Sequence, residues 1–313
     1  MAFSTQVRLE LAKVPCEKKC CAVAELSGAA LVCGGLSFKG LGRYGLEVTL
    51  GGVDAAQRAC SLFRRFLRCE CALTEVRTAR LGGLYRYAVT PPDHQLPQIL
   101  KELRLLDKNQ PFGLRAVPAP EILKNDCCRR AFLRGAFLAG GSTGDPQKAY
   151  HLEIAVPDLA MAECVSGIME GFDLPGRVAG HRSRTVVYLK DAEHMASLLT
   201  LMGAHRALLE LENVRIYKEI RNGANRQANC DTANVEKTVA AAQKQLSILA
   251  VIDEKMGLEN LPAPLRDIAD LRRRYPEATL TELGGMATPP VGKSGVNARM
   301  RKLEALAEEL VNG

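Results

Sequence analysis

Lys293, Ser294, Asn297, Arg299, Arg301 and Lys302 crowd into ten residues, and no acidic residue lies among them. Asn and Arg are the side chains that read adenine and guanine edges with paired hydrogen bonds, while Lys and Ser suit phosphate oxygens. The chemistry on offer is recognition of duplex DNA, with no bond broken. The same segment contains Val291-Gly-Lys-Ser-Gly295, which carries the Gly-Lys-Ser of a phosphate-binding loop. However, Ala287 stands where that loop needs its first glycine, Pro289 and Pro290 occupy the cradle, and no strand precedes it. Nucleotide binding is not expected.

Cysteine offers a third chemistry. Eleven cysteines are scattered from Cys16 to Cys230 without a Cys-x-x-Cys pair. The adjacent pairs Cys20-Cys21 and Cys127-Cys128 are each badly placed to chelate one metal. Reduced thiols acting as small hydrophobes are expected, with neither metal nor cofactor.

The elements that position the basic cluster are legible around it. Leu261 to Pro276 reads as a lead helix with Pro264 in its first turn. Thr279 and Glu282 form a capping-box pattern that opens a second helix, and Pro289-Pro290 forces a break. Val296, Met300 and Leu303 then recur at intervals of four and three, which defines the buried face of a third helix. The 100° step turns Ser294, Asn297, Ala298, Arg301 and Lys302 away from that face. Asn297 and Arg301 are the candidate base readers. Lys293 and Ser294 suit a phosphate or a first base, and Arg299 and Lys302 suit the backbone. A short acidic helix, Leu303 to Leu310, should close the chain. Residues 257–313 thus have the outline of an all-α helix-turn-helix domain. Balanced charge from Arg266 to Leu310 leaves a helical protein-docking domain as the rival account.

The first two-thirds of the chain is duplicated. A helix rich in small residues, Ala24 to Gly35, recurs 107 residues later as Arg130 to Ser142. Leu26 aligns with Leu133, Gly28 with Gly135 and Gly34 with Gly141. Each is read as ending in a Gly cap, and each precedes an alternating strand, Tyr44 to Leu50 or Tyr150 to Val156. The first half continues with a helix at 55–67, strands at 72–79 and 85–89, and a helix at 96–106. The second half follows with a helix at 160–169, strands at 177–180 and 184–190, and a helix at 192–202. Two helix-strand-helix-strand-helix repeats, at about 20–106 and 125–203, make a pseudo-two-fold α+β domain over 1–220. Pro111 to Pro120 is the linker between them.

These paired helices resemble the LAGLIDADG helices of homing endonucleases, which cross at a pseudo-dyad with saddle-shaped sheets to either side. In that family the penultimate position of each motif is an acid that holds a divalent metal at the scissile phosphates. The matching positions are Cys33 and Gly140, neither of them a hard oxygen ligand. Asp145 and Glu25 are not obvious substitutes, so no catalytic residue is expected. A metal-dependent endonuclease remains the rival reading from the enzyme class. The sheets would keep a basic surface, with Arg177, His181, Arg182, Arg184 and Lys190 in one half and Arg77, Arg80 and Arg86 in the other. Solvated strand faces account for the same residues equally well.

Between the two domains, Ala204 to Ile220 reads as a helix. Arg221 to Asp231 reads as a polar, Asn-rich break, and a connecting helix runs from about Asn234 to Met256. Residues 221–256 are thus a hinge and connecting helix, with Arg221 and Arg226 as candidate DNA contacts.

The resemblance extends along the whole chain. Thr279-Leu-Thr-Glu-Leu-Gly284 followed by Pro289-Pro-Val-Gly-Lys-Ser-Gly-Val-Asn297 is similar to the C-terminal domain of the WhiA regulators, itself akin to a DNA-binding region of sigma factors. Phe132 to Ser142 and the Asn225-Arg, Asn229-Cys, Ala233-Asn and Lys237-Thr series match the same family. One departure is Ala298, where the family pattern has His. The resemblance implies a transcription regulator of sporulation or cell division that binds double-stranded DNA. Its partners would include another regulator or RNA polymerase. An adaptor whose duplicated domain docks a protein is the alternative.

Composition agrees with these expectations. Lys and Arg exceed Asp and Glu by seven, 42 against 35, so local placement matters more than the total. Trp is absent and aromatics are 5%, which argues against stacking platforms for single strands. No apolar run approaches membrane-spanning length. The expected location is the cytoplasm, at the nucleoid.

Overall fold

The computed structural model describes residues 2–38, 44–77, 85–106, 114–181 and 184–312. They form two compact units, Met1–Lys218 and Glu219–Gly313.

The first unit is the duplicated α+β domain. Its axis is a pair of helices, α2 (Lys19–Cys33) and α5 (Asp126–Gly140), each buried along most of its length. Helices buried on every side need small residues where their backbones meet, and these two meet at the glycines of the repeat. A Cβ on Gly28 would lie 2.5 Å from the Phe132 carbonyl oxygen, and one on Gly135 would lie 2.0 Å from that of Glu25. Gly28 and Gly135 are therefore crossing points.

Both helices run directly into strands, a feature the sequence reading missed. Gly34 and Gly141 have φ of −84° and −77° with extended ψ, so neither is the left-handed cap expected from Gly-Gly. They open β1 (Gly34–Phe38) and β5 (Gly141–Thr143) instead. Glycine at 141 has a packing reason: a Cβ there would lie 2.3 Å from the Phe137 ring.

The remaining strands are β2 (Tyr44–Leu50), β3 (Ala72–Arg77), β4 (Tyr85–Thr90), β6 (Leu152–Val156), β7 (Arg177–His181) and β8 (Arg184–Leu189). They form two antiparallel sheets of equivalent order, β1-β2-β4-β3 and β5-β6-β8-β7. Both outer pairs join strands expected from the repeat, with Val76 opposite Arg86 and His181 opposite Arg184. Helices α3 (Val53–Leu67), α4 (Leu96–Glu102), α6 (Leu159–Glu170) and α7 (Ala192–Met202) complete the repeats. A further helix, α1 (Phe3–Leu11), buries Phe3, Val7 and Leu11 in the same core. Arg80 and Arg182 lie outside the described residues.

The expected break at 221–231 is absent. One helix, α8, runs 52 residues from His205–Met256. Gly223 in an exposed helix costs about 1 kcal/mol relative to Ala, and no proline stands in the segment to stop propagation. The Gln227 amide donates to Asp231 four residues on, and the Thr238 hydroxyl donates back to the Asn234 carbonyl. The first turn of α8 is capped from far away in sequence. Both oxygens of Glu10 on α1 accept its opening amides, Arg206 N at 2.7 Å and Ala207 N at 3.0 Å.

The second unit adds α9 (Ala263–Arg274), α10 (Leu280–Met286) and α11 (Lys293–Asn312) to the end of α8. Leu249, Ile252, Ile268, Leu283, Val296, Met300 and Leu303 form its separate core. The third helix and the short acidic helix expected after it are one continuous element, because Ala305, Ala307 and Leu306 carry the helical pattern onward.

Candidate nucleic-acid interface

Three local devices hold α11 in place. Thr279 and Glu282 form the capping box, with the Thr279 hydroxyl accepting from Glu282 N and the Glu282 carboxylate accepting from Thr279 N at 2.7 Å. The turn between α10 and α11 folds back tightly: Val291 N donates to the Gly284 carbonyl at 2.9 Å. A Cβ on Gly284 would lie 2.1 Å from the Val291 carbonyl oxygen, so only glycine permits this approach. Arg272 is buried beneath the turn, where it donates to Gln245 on α8 and to the carbonyls of Pro276 and Ala278. The sequence gives no sign of this clamp, because the carbonyl partners of Arg272 lie in a loop that has no pattern of its own.

On α11, Val296, Met300 and Leu303 are buried, as the spacing predicts, and Ala307 joins them. Lys293, Ser294, Asn297, Ala298, Arg301 and Lys302 are exposed on the opposite arc. Arg299 is brought in less fully. It is half-buried and its Nη1 is buried with no hydrogen-bond partner among the described residues, so its head is turned partly inward. Two ion pairs stand elsewhere in this unit. Arg273 meets Asp253 at 3.1 Å, and Lys244 meets Glu304. Among the described residues no carboxylate pairs with Lys293, Arg301 or Lys302. Lys293, Arg301 and Lys302 thus give α11 an exposed arc of cations that no carboxylate among the described residues neutralises.

Arg221 and Arg226 are exposed on α8. Arg184 begins β8 opposite His181. Arg182 lies outside the described residues.

At the far ends of the paired helices, Cys33 and Gly140 share one cleft with Val32, Thr49, Arg86 and Ala155, and among the described residues no acidic one lines it. The Cys33 thiol donates to the Ala29 carbonyl at 3.2 Å. Burial pushes its pKa up to about 12 despite the nearby Arg86, so it stays neutral at physiological pH. Gly140 is closed to any side chain: a Cβ there would sit 2.1 Å from the Ala155 carbonyl oxygen and 2.9 Å from Val32. Asp145 is exposed in a turn, accepting from Gln147 N. Glu25 lies eight residues, about 12 Å, up α2 from Cys33. It is buried there between two arginines: Arg58 binds both its oxygens and Arg134 donates at 2.8 Å.

Cys20, Cys21, Cys127 and Cys128 depart from the sequence reading. Judged as separate pairs they looked unfit to share a metal, yet their sulfurs all lie within 4.8 Å of one another. The pseudo-dyad unites the pairs, since Cys20 and Cys127, and likewise Cys21 and Cys128, are separated by the repeat offset of 107 residues.

Family models match in chain order and cover most of the chain. The WhiA N-terminal LAGLIDADG-like domain matches residues 19–106, the WhiA LAGLIDADG-like domain residues 129–221, and the WhiA C-terminal HTH domain residues 224–307. The "Probable cell division protein WhiA" of Heliobacterium modesticaldum is 40% identical over 309 residues, covering 98% of this chain and 96% of the relative. This chain belongs to the WhiA family. The WhiA relative from Desulfitobacterium hafniense strain Y51, of the same name, is 42% identical over 99% of this chain and 96% of its own length. The full-length WhiA crystal structure from Thermatoga maritima superposes with a TM-score of 0.62 at 24% identity, covering 99% of both chains. The WhiA fold is therefore a LAGLIDADG-like domain followed by a helical helix-turn-helix domain, and the latter points to DNA binding. Among the described residues no helix is long and apolar enough to cross a membrane.

Proposed function

We propose that this WhiA chain is a sequence-specific DNA-binding transcription regulator of cell-division or sporulation genes that does not cut DNA. The observation that carries the reading is the exposed arc of α11, where Lys293, Ser294, Asn297, Arg301 and Lys302 stand together with their cations unpaired. The helix N-terminus at Lys293 and Ser294 adds a partial positive charge where a phosphate would dock. Asn297 and Arg301 lie one turn apart on the same arc, the spacing needed to reach neighbouring base edges in a major groove. The family names of the relatives supply the cell-division association, and their proteins are its only source.

Replacing Arg301 with Ala is expected to cost about 1–3 kcal/mol of specific binding, or roughly 5- to 150-fold in Kd. A gel-shift titration on fragments bound by the wild type measures it. Unchanged affinity would remove Arg301 from the recognition surface. The Cys33–Gly140 cleft supports the absence of cutting, because it offers a neutral thiol and a closed glycine where a nuclease needs two carboxylates. Supercoiled plasmid incubated with the protein and Mg²⁺ or Mn²⁺ is accordingly expected to remain intact. Nicking that disappears on altering Asp145 would make the chain an enzyme.

A further inference from the structure

We infer that Cys20, Cys21, Cys127 and Cys128 form a structural zinc site that ties the two repeats together at the opposite end of the helix pair from the Cys33–Gly140 cleft. Cys20 and Cys21 lie in the first turn of α2, and Cys127 and Cys128 lie in the first turn of α5. The four Sγ atoms lie within 4.8 Å of one another, and none is in a disulfide. A tetrahedral zinc with Zn–S bonds of about 2.3 Å spaces its sulfurs about 3.8 Å apart. Contraction by about 1 Å at most, within reach of small side-chain rotations, closes the set around one ion. An iron–sulfur cluster places its own iron and sulfide atoms between the cysteines and needs a wider cage.

The electrostatics suit a thiolate-rich centre. Four thiolates around one Zn²⁺ leave two negative charges. Two helix N-termini converge on them, and Lys18, Lys19, Arg129 and Arg130 flank the pairs in sequence. Burial is graded in a way that suits assembly: Cys128 is buried, Cys21 half-buried, and Cys20 and Cys127 exposed. An ion has a path in, and two ligands are anchored before it arrives. The preference is for a borderline-soft divalent ion, since no carboxylate or imidazole belongs to the set. Thirteen residues of α2, about 20 Å, separate Cys20 from Cys33. The site is thus separate from the Cys33–Gly140 cleft.

The test uses the full-length protein, purified under reducing conditions without chelator. One zinc per chain is expected by elemental analysis. Exchange into Co²⁺ should give sulfur-to-cobalt charge transfer in the near ultraviolet and visible d–d bands of a tetrahedral tetrathiolate. Cys127→Ser changes an exposed side chain and should abolish both signals while leaving the far-ultraviolet circular dichroism intact. The cobalt spectrum of the wild type decides the matter even if a variant folds poorly. No metal after reconstitution with zinc or cobalt would overturn the site. So would a stoichiometric ion unaffected by Cys127→Ser, or mass-spectrometric recovery of disulfides joining the two pairs in the reduced preparation.

Discussion

Glu25→Ala is expected to remove about 3–5 kcal/mol from the stability of the N-terminal unit, because it strands two buried guanidinium groups. Arg58 and Arg134 are both buried, and both turn to this one carboxylate. Their remaining bonds go to backbone carbonyls: Arg58 to Ala12 and Val14, and Arg134 to Met202. Carbonyl dipoles solvate a cation but do not neutralise it. With Glu25 gone, two like charges face each other in the core without water. The triad also spans the repeats, since Glu25 is on α2, Arg58 on α3 and Arg134 on α5. The loss should therefore lower the whole unit in one cooperative step. Urea titration of wild type and variant measures it, with a fall in melting temperature of about 10 °C as an independent check. A loss below about 1 kcal/mol would mean that water reaches the arginines and that the triad is not a core element. Replacing Glu25 by a large apolar residue in the same single variant does not help, because the arginines stay behind. Only a simultaneous apolar replacement of all three gives a neutral outcome.

Gly135→Ala is the second large effect. A single methyl group is a small change in a helix, and at an open position it stabilises by up to about 1 kcal/mol. At 135 the methyl would meet the Glu25 carbonyl oxygen at 2.0 Å, an atom of the neighbouring backbone that cannot rotate away. The helices must separate, and the separation disturbs the tightest contact in the unit. A cost of at least about 3 kcal/mol is expected, the upper range for overpacking. Gly167 on α6 is the matched control, since it is exposed and a Cβ there meets nothing within 4 Å. Gly167→Ala should be neutral or stabilising. If both variants unfold alike in urea, the close crossing at Gly135 is not what holds α2 against α5.

The repeat was legible in the sequence because a helix pair of this kind needs small residues at fixed places in both partners. Gly28 and Gly135 keep an offset of 107, and the structure puts both at the crossing. The α+β class, the helices and strands that follow each member of the pair, and the buried face of α11 were equally legible, since each rests on a period, a cap or the repeat. What failed was punctuation. Gly34 and Gly141 looked like helix caps, yet they serve close packing in an extended conformation, and β1 and β5 went unseen. The Asn-rich run at 221–231 looked like a break, but polar residues tolerate an exposed helix when no proline intervenes. The outward face of α11 is exposed as its spacing predicts, whereas the inward turn of Arg299 depends on packing that no spacing encodes. The cysteine quartet shows the same limit most clearly. Each pair is unremarkable until the pseudo-dyad brings the two together.

The cramped geometry at Gly140 also bears on how this lineage can change. A carboxylate at 140 requires a Cβ, and that atom collides with the Ala155 carbonyl oxygen before any metal could be held. Strand β6 would first have to shift away from α5, which loosens the core without yet conferring any benefit. The other half of the pair faces no such barrier of principle, but one carboxylate does not make a two-metal cutter. Backbone packing thus acts as a ratchet: the exposed arc of α11 can vary without touching the core, while a carboxylate at position 140 can be gained only through a less stable intermediate.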